Sequence, residues 1–329
     1  MRAAWYERNG PAREVLTIDE LPDPAPAAGE VRVRIAVSGL NPSDVKRRQG
    51  FGGQRVDSGR IIPNSDGAGM VDAVGQGVDK SWLGKRVWVW NAQWQQPYGT
   101  CAELCCVPVE QARRLPKRVD FAAGACLGIP AMTAHQAVFS RGAVRGRTVL
   151  VTGGAGAVGH YAIQIAKWGG AKVIATVSSS EKAKLAKEAG ADHVINYRKD
   201  NVVKKVMELA EGVDRVIDVD FGANLASSFE VLKPNGSIAT YASMGVPEPK
   251  LPFYDLMRRG LSIDLIFVYI MPSAKRARTL ADLDAMLTAD DLRHNIGARF
   301  ALKDIVAAHE AQESGNVIGN IVIDIANVG

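Results

Sequence analysis

The sequence predicts an α/β fold in two parts: a β-rich, barrel-like domain and a doubly wound parallel sheet of six strands. Three observations carry this. Before Phe121, short alternating strands are separated by Gly/Pro turns. From Phe121 onward, strand and helix signals alternate, as they do in a parallel sheet covered on both faces. The strands of that second stretch are near-continuous Val/Ile runs, which burial on both faces requires. A chain of 329 residues also exceeds what one core usually holds.

The elements follow in order. Leu21-Pro22-Asp23-Pro24-Ala25-Pro26 is a connector that can continue neither a helix nor a central strand. Val31 to Val37 alternates with period two, the mark of a half-buried strand. Gly67 to Gly75 is a strand with close-packed glycines, and Gly84 to Trp90 is a third strand. Ala122 to Phe139 reads as an Ala-rich helix broken at Pro130. Thr148 to Thr152 is a buried strand that runs through Gly153 into a helix, Val158 to Gly169. Then come strand Lys172 to Val177, helix Glu181 to Glu188, strand His193 to Ile195 and helix Val202 to Leu209. Strand Arg215 to Val219, helix Leu225 to Val231, strand Ser237 to Thr240 and strand Ile263 to Ile270 complete the sheet. A helix from Ser273 to Leu287 follows. The last strand, Gly319 to Ile325, is expected to rejoin the first domain, because the parallel sheet already has its strands.

Composition excludes several classes. With 47% hydrophobic and 23% charged residues, the chain is not disordered. Its longest apolar run, Leu265 to Met271, is far short of the ~20 residues a membrane-spanning helix needs. The N-terminus has no apolar core or cleavage site of a secretory signal. Four cysteines are too few for a disulfide framework, so a reducing cytoplasm is the expected setting. The net charge of +5 is mild and spread along the chain, so no nucleic-acid face is expected.

The sharpest signal is Gly154-Ala155-Gly156-Ala157-Val158-Gly159. A G-x-G-x-x-G pattern alone is weak, but this one follows a buried strand and opens a helix. Small residues let the backbone approach a pyrophosphate, and the helix N-terminus supplies free N–H groups and a positive dipole end. An NAD site usually carries an acid at the end of the second strand to hold the ribose 2′-OH. Here that stretch reads Val177-Ser178-Ser179-Ser180-Glu181-Lys182, with hydroxyls in place of an acid and a lysine one turn later. Glu181 is read as a first-turn residue facing away. A charge-assisted hydrogen bond contributes ~1.5–3 kcal/mol, so Lys182 alone gives a preference of roughly 10–100-fold for NADPH over NADH.

Several motifs occur together in order. They are Asn41-Pro42-Ser43-Asp44, Gly67-x-Gly69-x-Val71, Gly128-Ile129-Pro130-x-x-Thr133-Ala134, the glycine loop, Ala189-Gly190-Ala191-Asp192 with Asn196-Tyr197, and the C-terminal strand. Over essentially the whole chain this resembles the zinc-independent branch of the medium-chain dehydrogenase/reductases, and specifically the zeta-crystallin-like NADPH:quinone oxidoreductases. The resemblance implies a GroES-like catalytic domain, residues 1–122 and 271–329, and a Rossmann domain, residues 123–270, with NADPH in the cleft between them. It implies a homodimer paired through the last Rossmann strand, near Leu261 to Ile270. It also implies that Asn41 and Asp44 lie near the nicotinamide and substrate, and that Thr133 flanks the nicotinamide end. Ser178, Lys182 and Tyr197 would bind the 2′-phosphate, beside Ser179. Ala242, Ser243, Gly245, Phe267 and Val268 would line the nicotinamide pocket, and Asn320 would lie near the cofactor. Simpler roles fit too: Asn41 suits a cap before Pro42, and Thr133 suits a hydroxyl bonded back into its own helix.

The sequence departs from the family pattern after Asn41, where Val45-Lys46-Arg47-Arg48-Gln49-Gly50-Phe51-Gly52 lacks the tyrosines members often carry. Trp88, Trp90, Trp94 and Tyr98 are candidates for a replacement aromatic wall, with core packing expected for two of the four. Zinc-dependent members of the superfamily place Cys and Gly-His-Glu where this chain has Asn41-Pro42-Ser43-Asp44 and Asn64-Ser65-Asp66. Neither segment holds a thiolate or an imidazole, and Cys101, Cys105, Cys106 and Cys126 lack the paired spacing of a structural zinc site. No metal is therefore expected. The histidines, His135, His160, His193, His294 and His309, are isolated in sequence. The expected activity is NADPH-dependent reduction of quinones or related conjugated carbonyls. The alternatives are an NADPH-dependent alkenal/enone double-bond reductase on the same fold, and an NADPH-binding structural or RNA-binding protein.

Overall fold

The computed structural model describes residues 1–53, 56 and 59–328. These form two compact units, Met1–Pro130 with His294–Gly329, and Ala131–Arg293. The first unit opens with β1 (Arg2–Trp5), α1 (Ala12–Val15) and β2 (Thr17–Glu20), the two strands pairing antiparallel. The long strand β3 (Glu30–Leu40) follows, then α2 (Pro42–Gln49) and β4 (Asp66–Val74). β5 (Arg86–Val89), β6 (Leu104–Pro108), β7 (Ala112–Arg114) and the short α3 (Phe121–Gly124) complete this segment. β4 must lie close against β3, because a Cβ on Gly69 would overlap the Arg34 carbonyl. Val31, Val33, Ile35, Val71, Val87 and Val107 form the core between these strands, on the faces their alternation predicts.

The second unit contains α4 (Met132–Val138), β8 (Thr148–Val151), α5 (Ala157–Trp168), β9 (Lys172–Val177), α6 (Ser180–Glu188) and β10 (His193–Asn196). It continues with α7 (Val202–Ala210), β11 (Val213–Asp218), α8 (Phe221–Val231), β12 (Leu232–Thr240), α9 (Phe253–Arg258), β13 (Ser262–Leu265) and α10 (Ser273–Ala289). The strands run in the order β10-β9-β8-β11-β12-β13, all parallel. That is the doubly wound order with its switch point between β8 and β11. Leu150, Ile174, Ile195, Val216 and Ile238 are buried in its core.

The chain then returns to the first unit through β14 (Ile296–Ala301), α11 (Ile305–Ser314) and β15 (Asn320–Asp324). β15 lies between β14 and β3, with Ile321 opposite Leu40, so the last strand does rejoin the first sheet. Among the described residues, no helix is long and apolar enough to cross a membrane.

The unit boundaries differ from those expected at 122/123 and 270/271. They fall at 130/131 and 293/294. α10 belongs with the second unit because Asp282 holds His135 Nε2 at 2.8 Å and Thr279 Oγ1 meets His135 Nδ1 at 3.0 Å. His135, isolated in sequence, is therefore a buried clamp between α4 and α10. The expected strand to Ile270 stops at Leu265 and becomes a 3-10 turn at Val268–Ile270. The helix expected over Ala122 to Phe139 is three pieces, with a π-helical turn at Leu127–Ala131 around Pro130.

α2 is fastened to α11 by a buried cation. Arg48, with no exposed surface, donates to the Gly10 carbonyl, to Glu313 and, at 3.4 Å, to His309 Nδ1. Accepting there fixes the proton of His309 on Nε2. Burial first, and the Arg48 charge second, push the His309 imidazole down to about 3. The unfolded imidazole titrates near ~6.5, so below that pH the unfolded chain binds a proton the folded chain refuses, and stability falls. Between pH 6.5 and 4.5, His309→Gln should unfold with a pH dependence shallower by up to about 1.4 kcal/mol per pH unit than the unsubstituted protein, read from urea midpoints.

Candidate active site

The glycine loop has the geometry its sequence requires. Gly153 sits at φ +64°, a left-handed conformation, and a Cβ on Gly159 would overlap the Gly153 carbonyl oxygen. α5 therefore starts hard against the end of β8. Gly156 caps α5 from extended backbone without a side-chain bond, so the first-turn N–H groups at Ala157 and Val158 are left for a ligand. Gly156 is exposed, whereas Gly154 and Ala155 are buried, with Gly154 packed on Ala175 and Ile163. This cradle, narrow at the bottom and open at Gly156, fits a pyrophosphate.

At the end of β9, Ser178 and Ser179 are half-buried and Glu181 is exposed. Ser179 caps α6, its Oγ accepting from the Lys182 N–H at 3.2 Å, which leaves its own hydroxyl proton free to donate. Lys182 is half-buried in the first turn, and Tyr197 is half-exposed just past β10.

The first unit brings Asn41 and Asp44 together at the start of α2. The Asn41 backbone N–H donates to Asp44 Oδ2 at 2.8 Å, and the Asp44 N–H faces the Asn41 side chain, closing a capping box ahead of Pro42. The Asn41 amide also donates to Asp66 Oδ2 at 2.8 Å, and the same oxygen accepts the Ile129 N–H at 2.8 Å. Asn41, Asp44 and Asp66 are all buried. Burial pushes the Asp44 carboxyl up to about 7 against the pull of the N–H groups of Asn41 and Ser65. Asp66 is held well above the usual carboxylate range by burial first and by the Asp44 charge second. Its Oδ1 has no partner.

Asn320 is buried at the start of β15, its N–H and its side-chain amide both donating to the Asn295 carbonyl. One residue beyond the Ile321–Leu40 pair, the register sets it beside Asn41. In the second unit the remaining predicted residues gather at the carboxyl ends of the strands, where ligands bind in open α/β sheets. Ala242, Ser243 and Gly245 follow β12. Ser243 Oγ accepts from the Gly222 N–H and donates to the Val246 carbonyl, and the Gly245 N–H donates to Asp220. Phe267, nearly half exposed, and buried Val268 follow β13, and Thr133 is buried in α4. Trp88 and Trp90 are core residues with ring centroids 5.1 Å apart, while Tyr98 is exposed.

Two residues escaped the sequence reading. In sequence Asp66 stands only at a position matched to zinc ligands, although a carboxyl opening an apolar, Gly-rich strand is itself a signal. Asp218 ends β11 at the same edge as the glycine loop. It accepts from Thr152 Oγ1 at 2.8 Å and from Asn224 Nδ2 at 2.7 Å, burial raises its pKa, and its Oδ2 has no partner.

Two family models match the chain: the alcohol dehydrogenase GroES-like domain over residues 27–163 and the zinc-binding dehydrogenase over residues 157–284. The quinone oxidoreductase of Rattus norvegicus is 30% identical over 311 residues, covering 93% of this chain and 91% of that one. The quinone oxidoreductase of Pseudomonas aeruginosa is 30% identical over 317 residues, covering 94% and 95%. Among solved structures, mycobacterial Rv1454c complexed with NADPH is 28% identical with a TM-score of 0.86, covering 98% of this chain and all of that one. Fold and site define a two-unit, dinucleotide-dependent medium-chain reductase. Within that class, the chain belongs to the zinc-independent quinone oxidoreductase family.

The zinc in one family model's name does not suit these residues. The side chains at the matched positions are an amide and two carboxyls engaged with one another and with backbone N–H donors. Among the described residues, no group of three or more His, Cys, Asp or Glu side chains could hold a metal ion. For the loop, Gly159→Ala is expected to weaken NADPH binding by at least about tenfold, because its methyl displaces the Gly153 carbonyl. Quenching of tryptophan fluorescence by NADPH measures this.

Proposed function

We propose that this protein is an NADPH-dependent oxidoreductase that reduces quinones or related conjugated carbonyl acceptors without zinc. The observation that carries it is the Asn41 amide, a hydrogen-bond donor anchored on buried Asp66 in the segments matched to zinc ligands. A donor so placed suits an acceptor that is already electrophilic and gains negative charge on oxygen as it is reduced.

The residues divide the work. The Gly154–Gly159 loop and the start of α5 hold the pyrophosphate. Ser178, Ser179, Lys182 and Tyr197 hold the 2′-phosphate and select NADPH over NADH. In the second unit Thr133, Ala242, Ser243, Gly245, Phe267 and Val268 border the nicotinamide end. When bound, NADPH supplies the reducing equivalents. Asn41 donates to the acceptor oxygen. Asp44, with its carboxyl at about 7, exchanges a proton close to neutral pH and keeps α2 in register through the Asn41 N–H. Four free cysteines, three of them buried, support a reducing cytoplasmic setting.

Stopped-flow oxidation of NADPH against a quinone panel and an enone panel tests this reading. Turnover of quinones is expected; turnover of enones alone would turn it into a double-bond reductase, and turnover of neither would end it. In the same assay, Ser178→Asp combined with Lys182→Ala should raise the Kd for NADPH by roughly 10–100-fold while leaving that for NADH within a fewfold.

We also propose a homodimer through β13. It is an edge strand of the parallel sheet, and Leu265, Ile270, Phe253, Tyr254 and Met257 on and around it are more than half exposed. Light scattering coupled to size exclusion should give twice the chain mass. Leu265→Lys with Ile270→Lys should give the single chain mass; a monomeric unsubstituted protein would refute the pairing.

A further inference from the structure

We propose that Asp66 is a positioning residue for the reaction, whose carboxyl fixes the Asn41 amide so that its nitrogen, and not its carbonyl, is turned toward the acceptor oxygen. The inference rests on the role given to Asn41 above.

Four features of the first unit point to it. Asp66 Oδ2 sits between two donors, the Asn41 Nδ2 and the Ile129 N–H, both at 2.8 Å. The Ile129 N–H can only donate, so Oδ2 is committed as an acceptor and the atom of Asn41 facing it must be the nitrogen. The π-helical turn at Leu127–Ala131 carries that N–H, and π turns at such places mark functional distortions of a helix. Gly128 makes room for the carboxyl, since a Cβ there would overlap Asp66 Oδ1.

The surroundings set the charge state. Asp66 is wholly buried, with the Asp44 carboxyl near it and the Cys126 thiol beside it. Asp44 in turn faces Arg47, Tyr6 and Cys101. Both thiols are pushed far up by burial and carry no charge at neutral pH. Burial first and the neighbouring Asp44 carboxyl second hold the Asp66 carboxyl well above the usual carboxylate range, against the pull of the Ile129 N–H and the Asn41 amide. A neutral acid accepts through Oδ2 much as an amide carbonyl does.

The test compares Asp66→Asn, Asp66→Ser, Asn41→Ala and the Asp66→Ser/Asn41→Ala double variant, with fold checked by thermal melting and by NADPH titration. Asp66→Asn keeps a carbonyl for both donors and should rescue kcat to within about threefold. Asp66→Ser is too short to reach Asn41 and should lose kcat by roughly 10–100-fold with KM nearly constant. The double variant should be no worse than Asn41→Ala alone, because both remove one oriented group. A folded Asp66→Ser with normal kcat, or losses that multiply in the double variant, would overturn the proposal. If Asp66→Ser does not fold, a folded Asp66→Asn with the full loss overturns it. If Asn41→Ala keeps normal kcat, the role of Asn41 fails first, which separates the two failures.

Discussion

The candidate site of the first unit depends on a carboxyl group that water does not reach. Burying Asp66 carries a desolvation cost that only hydrogen bonding and neutralisation offset. The fold meets this with two N–H donors on one oxygen and a glycine opposite the other. Each requirement constrains a different element. β4 must begin at Asp66, Asn41 must cap α2, and the helix after α3 must widen into a π turn so that Ile129 can turn its N–H inward. Three segments far apart in sequence thus share one polar contact, and an error in any one would strand a polar group.

The second unit uses a different principle. There the glycine loop leaves donors unused instead of satisfying them. Gly156 provides no capping side chain for α5, so the N–H groups that a serine would otherwise engage keep their donors. At the next strand the chain does the reverse, with Ser179 capping α6. The contrast between an uncapped and a capped helix at neighbouring strand ends separates the region proposed for the pyrophosphate from the one proposed for the adenine ribose. Both lie at the carboxyl edge that the strand order β10-β9-β8-β11-β12-β13 creates.

Much of this was legible in the sequence because it rests on local rules. The Val/Ile runs at Thr148–Val151 and Lys172–Val177 are strands, and the latter has the expected limits. The glycine loop and the serines after it are short-range patterns with fixed consequences. What was not legible depends on distant partners. No helix is expected over Pro42 to Gln49, where Lys46, Arg47 and Arg48 give no apolar face to read, yet Arg48 is buried by contacts from Gly10 and α11. β14 alternates only weakly and is defined by its pairing with β15. The unit boundaries moved because α10 is claimed by His135, about 140 residues earlier, and sequence spacing carries no trace of that contact. Asn41 combines both kinds: its cap before Pro42 was readable, while its bond to Asp66 was not.

The route of the chain has a consequence for how the molecule is made. β15 completes the first sheet by lying against β3, and Glu313 on α11 completes the setting of Arg48 on α2. A ribosome delivers Arg48, on α2, 265 residues before Glu313, and β3 earlier still relative to β15. During that interval the second unit, which is continuous in sequence, already has every strand it needs, whereas the nascent N-terminal sheet carries an open flank and an unmatched guanidinium. The flank of β3 and the setting of Arg48 are thus completed last in synthesis, although β3 and α2 are among the first elements translated.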